Sequence, residues 1–554
     1  MIGRLRRYWA RETEYLKAAS LLDAVYFVSC IGDRLWMFSI GFFISSAGGL
    51  AWVAAGQLLD SLIKVFALPI IGRFLDRTSR LLGMELILLA NNVCIAASAA
   101  AFYLSLRGFF FVQTEYNMAR AAGTTADVES ESLTTPAPDQ LALVLLVVAL
   151  CFNALSRVAS EAQKTAFMKD WIVVLVSNSN SGTLETHNSL ANIIDQGAGF
   201  FAPLFCGEVI EYFGYANTCI IFVCYNILSW CLEATAVYQL YQSTPALHKR
   251  DNIQSAEEEL PDMSSIALYF KQPCFRPAFA LALLFMTVLG FDNIAIAYGT
   301  EQGMSPATLG FFRSAGAILG ALGAATYRLL SAAGLNVVAI GLIGLLLQNA
   351  LLNLSSFSVF LEGNPFDVVG YLSNITVSDW LSDSTNAVLE GHLKHPVALH
   401  SLSWVWENKP GLVFFFLGIT GARFGLWIAD PSIIQIMQQS ISESERYRVN
   451  LVQSALQEGF SVLKDIMVIA FPLAVTFGGL IVMSCVFVFI GLLVYLSYFI
   501  TEGFPCRRKY APTATDDISP IELKVIEPGI HPELETLLAS DSGAPLQTNR
   551  TDAL

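Results

Sequence analysis

Residues 472–499 read PLAVTFGGLIVMSCVFVFIGLLVYLSYF, a run of 28 positions without one charged side chain. About 20 apolar residues in a helix cross the roughly 30 Å hydrocarbon core of a bilayer, so the stretch is read as a membrane span. Similar stretches recur on its N-terminal side, at 19–47, 50–73, 82–106, 139–163, 185–212, 215–241, 273–300, 306–330, 335–358, 411–438 and 447–470. They make about twelve spans. Two of them, 50–73 and 447–470, carry polar residues and are expected to score weakly on hydropathy alone. The composition agrees, with 54% of the 554 residues hydrophobic and 14% charged, where a soluble domain carries about 25% charge. That balance excludes a soluble enzyme, a nucleic-acid binder and a disordered hub. The implied fold class is an all-α polytopic membrane protein with lipid as its main solvent.

Orientation follows from the basic residues, which gather in short cytosolic loops. Arg4, Arg6, Arg7, Arg11 and Lys17 precede the first span, and Arg73, Arg77 and Arg80 follow the second. His248, Lys249 and Arg250 follow the sixth, and Arg507, Arg508 and Lys509 the last. The alternate loops CGEVIEYFGYAN and GTEQGMSP contain no Lys or Arg. Both termini are therefore expected in the cytosol, which requires an even span count. The expected organisation is a cytosolic N-terminus at 1–18, a six-helix lobe at 19–241 and a cytosolic linker at 242–268. A second six-helix lobe at 269–500, with an extracellular loop at 359–410, precedes a disordered cytosolic tail at 501–554. Asn374, in the sequon NIT of that outer loop, is expected to be glycosylated. The N-terminus lacks the apolar core and cleavage site of a signal peptide and is read as retained.

The net charge of -14 is uneven. It sits in loop clusters, namely Asp127 with Glu129 and Glu131, Glu257 to Glu259, and the tail from Asp516 to Asp552, which read as solvated segments. The ten cysteines form no CxxC pair. Cys30, Cys94, Cys151, Cys224, Cys231 and Cys485 fall in apolar runs and read as small buried hydrophobes.

Ionisable side chains within a span cost about 2.5 to 3.5 kcal/mol on insertion scales, and they persist where they face a cavity or a partner. The first half holds Asp33 and Arg34, Asp60 and Lys64, Glu85, Asp195 and Glu233. Asp60 and Lys64 are four residues apart and are expected to form a helical ion pair. Asp33, Asn91, Asn92, Asn226 and Glu233 could supply five or so hard oxygens, a set suited to calcium or another hard divalent cation. The alternative is interhelical amide bonding. The second half holds Asp292 and Asn293, Arg313, Arg423, Asp430, Lys464 and Asp465. Span eleven places Asn450, Gln453, Gln457, Ser461 and Lys464 at helical spacing, which reads either as the wall of a water-filled pathway or as a packed hydrogen-bonding seam. No histidine lies deep in a span, and His392, His395 and His400 read as solvated loop residues. No phosphate-binding glycine loop, metal-hydrolase spacing or nucleophile elbow is present, so no catalytic residue is expected.

The loop GRFLDRTSR, from Gly72 to Arg80, resembles the major facilitator signature, in which an aspartate and arginines latch helix ends, here Asp76, Arg77 and Arg80. The equivalent second-half loop TYRLLSAAG lacks the aspartate. Further motifs resemble the ferroportins: GDRLWMF in span one, DWIVV from Asp170, IIDQ from Ile193 followed by FFAP, and YQSTPAL after span six. FMTVLGFD up to Asp292, ARFGLW with Asp430 close behind, and SESER followed by VNLVQS and IMVI continue the series. The resemblance implies a major facilitator-like exporter of ferrous iron of solute carrier family 40, with other divalent metals such as cobalt, manganese or zinc as alternative cargo, working by alternating access in the plasma membrane. It implies Asp33 as a metal ligand, calcium at the five-oxygen cluster and no tightly bound organic cofactor. Asp195, Asp292, Asn293, Asn450, Gln453, Gln457 and Lys464 are expected along the transport pathway, and Asp170, Arg423, Asp430, Glu443 and Arg446 among its gates.

The departures fall at the metal positions. Met37 stands where vertebrate members have a histidine, and a thioether can still contact a borderline metal. Asn293 replaces a cysteine and Lys464 a histidine, and a protonated lysine has no lone pair to donate. The second site is then absent or built differently, with Lys464 a tethered counter-ion to Asp292 or Asp465. The hormone hepcidin, which engages that cysteine in vertebrates, is not expected to bind. A diverged carrier of an organic anion, or a non-transporting receptor, is the alternative.

Overall fold

The computed structural model describes residues 2–121, 140–177, 184–248, 263–361, 364–389 and 398–502. The acidic clusters, His392, His395, most of the linker and the tail lie outside the described residues. Helices α1 (Ile2–Gly48), α2 (Leu50–Arg77), α3 (Arg80–Ala121) and α4 (Gln140–Ala166) come first. After a π-helical turn at Phe167–Trp171 follow α5 (Ile172–Ser177) and α6 (Leu184–Ser243). The second half has α7 (Met263–Lys271), α8 (Phe275–Leu283), α9 (Asn293–Glu301), α10 (Pro306–Ala332) and α11 (Val337–Ser358). Short helices α12 (Val368–Asn374), α13 (Val377–Leu389) and α14 (Leu402–Asn408) lead into α15 (Pro410–Ser440), α16 (Glu443–Ala470) and α17 (Ala474–Glu502).

Eight of these helices are long and apolar enough to cross a membrane on composition alone. The long α6 counts once among them, yet Gly214 divides it at φ 76° and ψ 166°, a conformation costly for a residue with a Cβ, so it crosses twice. Helices α2 and α16, which carry polar residues, are not among the eight, and α8 and α9 are too short because the helix is broken. Together they give the twelve crossings in two six-helix lobes. Helix α1 continues back to residue 2.

In the first lobe α1 packs on α6 and α3 on both α4 and α6; in the second, α15 packs on α10 and α11, and α17 on α8 and α11. Between lobes α6 meets α10, α2 meets α16, and α1 meets α9. The α6–α10 seam brings backbones together, as small residues do in membrane bundles. A Cβ on Gly207 would lie 2.6 Å from the Pro306 carbonyl oxygen, and one on Gly310 would strike that of Pro203.

Residues 284–292 interrupt the seventh crossing between α8 and α9. Backbone groups freed at that depth need partners within the protein. The Ser484 hydroxyl accepts from Val288 N–H at 3.0 Å, and the Thr287 hydroxyl from Leu289 N–H at 3.0 Å. Asp292 caps α9 by accepting from Ala295 N–H at 3.2 Å.

At the end of the bundle holding Gly49, Gly214 and Gly303, hereafter the loop end, each lobe caps a helix of the other. Glu301 Oε1 accepts from Leu50 N–H at 2.8 Å at the start of α2, where Gly49 has no side chain to do so. Glu211 Oε2 accepts from Ala307 N–H at 3.2 Å at the start of α10. A carboxylate at a helix N-terminus is favoured by the helix dipole. Helix α13 lies over this end, with Trp52 Nε1 donating to the Val388 carbonyl at 2.8 Å and Trp380 Nε1 to that of Ala470 at 2.9 Å. The Thr376 hydroxyl and N–H, at 2.6 and 3.0 Å, hold the Asp379 carboxyl in α13 below its usual range.

Candidate functional site

Asp33, Arg34, Met37 and Asp195 line a cavity of about 90 Å³ in the first lobe, together with Cys30 and Arg157. Adjacent residues on α1 point apart, and their partners differ accordingly. Arg34 donates to both oxygens of Asp195 at 2.7 Å, joining α1 to α6. Asp33 instead accepts from Asn91 Nδ2 at 3.2 Å and from the Ser160 hydroxyl.

Behind Asp33 lies a buried amide and carboxyl cluster. Asn91 and Glu233 are each 3% exposed, and Asn92 and Asn226 are also buried. Asn92 Nδ2 donates to the Leu88 carbonyl at 3.0 Å and Asn226 Nδ2 to that of Phe222 at 2.8 Å. The Ser229 hydroxyl donates to Glu233 Oε1 at 2.6 Å. Asn91 Oδ1 and Glu233 Oε2 are buried with no hydrogen-bond partner. Orphaned oxygens in such a place cost about 1 to 3 kcal/mol each, and they fit a cation better than simple amide bonding between helices.

The second lobe is arranged differently. Lys464 Nζ donates to Asp292 Oδ2 at 2.9 Å and lies 3.2 Å from Asp465 Oδ1, so it pairs with both aspartates. Lys464 and Asp465 are 6% and 1% exposed. Gln57 from the first lobe joins them, its amide nitrogen donating to Asp465 Oδ1 at 3.2 Å and its oxygen accepting from Asn293 N–H at 3.1 Å. Asn293 also packs against α1, where a Cβ on Gly41 would lie 3.2 Å from its Oδ1. Asp292, Lys464, Ser461, Arg423 and Asp430 line a cavity of about 350 Å³. Arg423 and Asp430, expected among gating charges, thus face this cavity. Arg313, also partly buried, stands close enough to Arg423 and Asp292 to feel their charges.

At the opposite end, Arg80 Nε donates to both Asp170 oxygens at 3.0 Å and Nη1 reaches the Leu247 carbonyl at 3.4 Å. The π-helical turn presents Asp170 to this contact, which lies within the first lobe. The side chains of Asp76 and Glu443, and that of Asn374 at the end of α12, lie outside the described residues, and Arg77 is exposed. Arg446 Nη2 bonds the Gln438 carbonyl at 3.2 Å. Its neighbours do the bracing: Glu445 accepts from Gln272 at 3.1 Å, and Arg448 donates to Ser265 at 2.9 Å.

Several expectations need correction. Asp60 and Lys64 do not form an ion pair; Asp60 accepts from Asn153 Nδ2 at 3.0 and 3.2 Å, because that amide is pinned by Trp36 Nε1 at 2.9 Å. On the polar face of α16, Ser461 and Lys464 line the second-lobe cavity. Gln453 is buried between the Tyr269 hydroxyl at 2.6 Å and the Ala278 carbonyl at 3.0 Å, a packed seam, while Asn450 is exposed and Gln457 half-buried. Cys151, Cys224 and Cys231 are exposed, whereas Cys30 is buried as expected and also lines the first cavity. His400 pairs through its backbone with Gly303 and Ser305 and stacks on Trp404 at 3.6 Å, so it is no free loop residue.

Two six-helix lobes enclosing polar cavities, with one crossing broken at mid-depth beside paired charges, define a membrane transporter and not an enzyme. A family model described as Ferroportin1 (FPN1) matches residues 17–488. The chain belongs to the ferroportin family. It is similar to the ferroportin of Homo sapiens, 26% identical over 555 residues covering 88% of this chain and 92% of that protein. To solute carrier family 40 member 1 of Danio rerio it is 25% identical over 544 residues, with 88% and 92% coverage. A crystal structure of a bacterial homologue of the iron transporter ferroportin in its inward-facing state superposes with a TM-score of 0.62 at 16% identity, covering 87% of this chain and 98% of that one.

Proposed function

We propose that this protein exports ferrous iron from the cytosol by alternating access, binding the metal in the first lobe at Asp33 and Met37. The observation that carries the reading is the unequal state of the two cavities. Asp33 faces its cavity with only neutral partners in hydrogen-bond reach, whereas Asp292 and Asp465 are held by Lys464. Membership of the ferroportin family supports iron as cargo. Of the second-half cations that an organic anion could use, Lys464 is already paired with two aspartates, which leaves Arg313 and Arg423.

With both termini in the cytosol, in the plasma membrane, the loop end faces outside. The Glu301 and Glu211 caps then hold the outer gate closed. The boundaries 19–241 and 269–500 delimit the rocking lobes, and 359–410 forms the outer loop. The orphaned oxygens of Asn91 and Glu233, with Asp33, Asn92 and Asn226, form a set that fits calcium, whose long, flexible oxygen contacts suit amides and carboxylates. Calcium there would compete with iron for Asp33 and tie α1, α3 and α6 together. Hepcidin does not bind, because Asn293 offers no thiol.

Efflux of radiolabelled iron from expressing cells tests the reading. Efflux above control, abolished in Asp33→Ala protein that still reaches the surface, is expected. Efflux equal to control, or unaffected by Asp33→Ala, overturns it.

A further inference from the structure

Cys30, Asp33 and Met37 occupy positions i, i+3 and i+7 of α1 and so share one face. All three line the first-lobe cavity of about 90 Å³. The Cys30 thiol is 4.0 Å from Asp195 Oδ1, whose oxygens are already taken by Arg34 at 2.7 Å; the Tyr26 hydroxyl hydrogen-bonds the sulfur, which keeps a further lone pair for a metal. Across the cavity, Gln163 of α4 is 2% exposed, and Ser29 fixes its Nε2 at 2.5 Å. Its Oε1 is buried without a partner, an independent sign that something is to be bound there.

Resting on the first-lobe reading above, we propose that Cys30 is a metal ligand, and that with Asp33, Met37 and the Gln163 oxygen it makes this a site for borderline and soft divalent cations. Among the described residues no group of three or more His, Cys, Asp or Glu side chains is arranged to hold a metal. This set needs only two of those types, with a thioether and an amide completing it. A thiolate and a carboxylate together balance a dication. Coordination replaces the S–H bond by a metal–sulfur bond and releases one proton to solvent in the cavity, with no change of oxidation state. Sulfur donors favour iron(II), cobalt(II), zinc and cadmium over manganese and calcium. Met37 alone, as a neutral thioether, would discriminate weakly. Cys30 restores on the preceding turn of α1 a strong donor that Met37 does not supply.

Cobalt(II) titrated into the purified full-length protein reads the bond directly, through sulfur-to-cobalt charge-transfer absorption in the near ultraviolet. The parent protein should develop this absorption at one cobalt per chain, Met37→Leu should keep it, and Asp33→Ala should lose it with the site. Cys30→Ser should bind cobalt without it, and should bind cadmium about tenfold more weakly while manganese affinity changes less than about twofold. Cobalt bound at Asp33 without the absorption overturns the assignment of Cys30 and leaves the first-lobe site standing. Absorption that survives Cys30→Ser also overturns it. No cobalt bound by the parent protein overturns both. If Cys30→Ser fails to fold, Cys30→Ala read in the same way keeps the assignment open to refutation.

Discussion

The two lobes share a helix plan but treat charge in opposite ways. In the first, Asp33 stands at a cavity wall with neutral partners, and buried oxygens of Asn91, Glu233 and Gln163 point at nothing. In the second, Lys464 sits between two aspartates at the break in the seventh crossing. One lobe holds unfilled donors and the other carries its own cation. The difference teaches that a lobe can keep the acidic side chains of a metal site while a single lysine fills it.

Removing Lys464 should break this contrast most severely. Lys464→Ala leaves the buried Asp465 and the half-buried Asp292 without their counter-ion, a loss of about 3 kcal/mol in stability that thermal unfolding in detergent can measure. The same variant, supplied with a divalent metal, should recover stability and raise the ions bound per chain from one to two. Adding Asp292→Asn and Asp465→Asn should restore stability without metal.

The carboxylate caps that join the lobes come next. Glu211→Ala and Glu301→Ala each remove one helix cap, worth about 1 kcal/mol, so the pair should shift the balance between closed and open loop end by a factor of roughly 30. Spin-label distances across the loop end would show a longer population growing in each single variant and dominating in the pair. The smallest effect concerns sidedness. Asn374→Gln should leave efflux unchanged but abolish a glycosidase-sensitive mobility shift, and a parent protein that shows no shift would count against an outward-facing loop.

The crossings were readable because lipid demands long apolar helices, and even the weak ones at α2 and α16 left a helical pattern. The divided α6 was legible as two apolar runs flanking Gly214. The broken seventh crossing was not, since its residues are as apolar as an intact span and the break depends on Ser484 and Thr287 bonding the backbone. Asp33, Lys464 and the amide cluster stood out as polar residues in apolar surroundings. Gln57, Ser160 and Gln163 did not, because an amide or hydroxyl in a span usually means no more than packing. The place of Cys30 beside the cavity was hidden for a related reason. A cysteine in an apolar run looks like any small hydrophobe until the fold shows which face of α1 it shares with Asp33. Asp60 and Lys64 illustrate the opposite error, a favourable spacing outcompeted by Asn153 from another helix.

Counting metal ions at equilibrium tests the central claim most directly. By calorimetric titration of cobalt(II), the purified protein should bind one ion per chain, bind none after Asp33→Ala, and still bind one after Asp465→Asn. Two ions per chain in the parent protein, or one ion that persists without Asp33, would contradict the account.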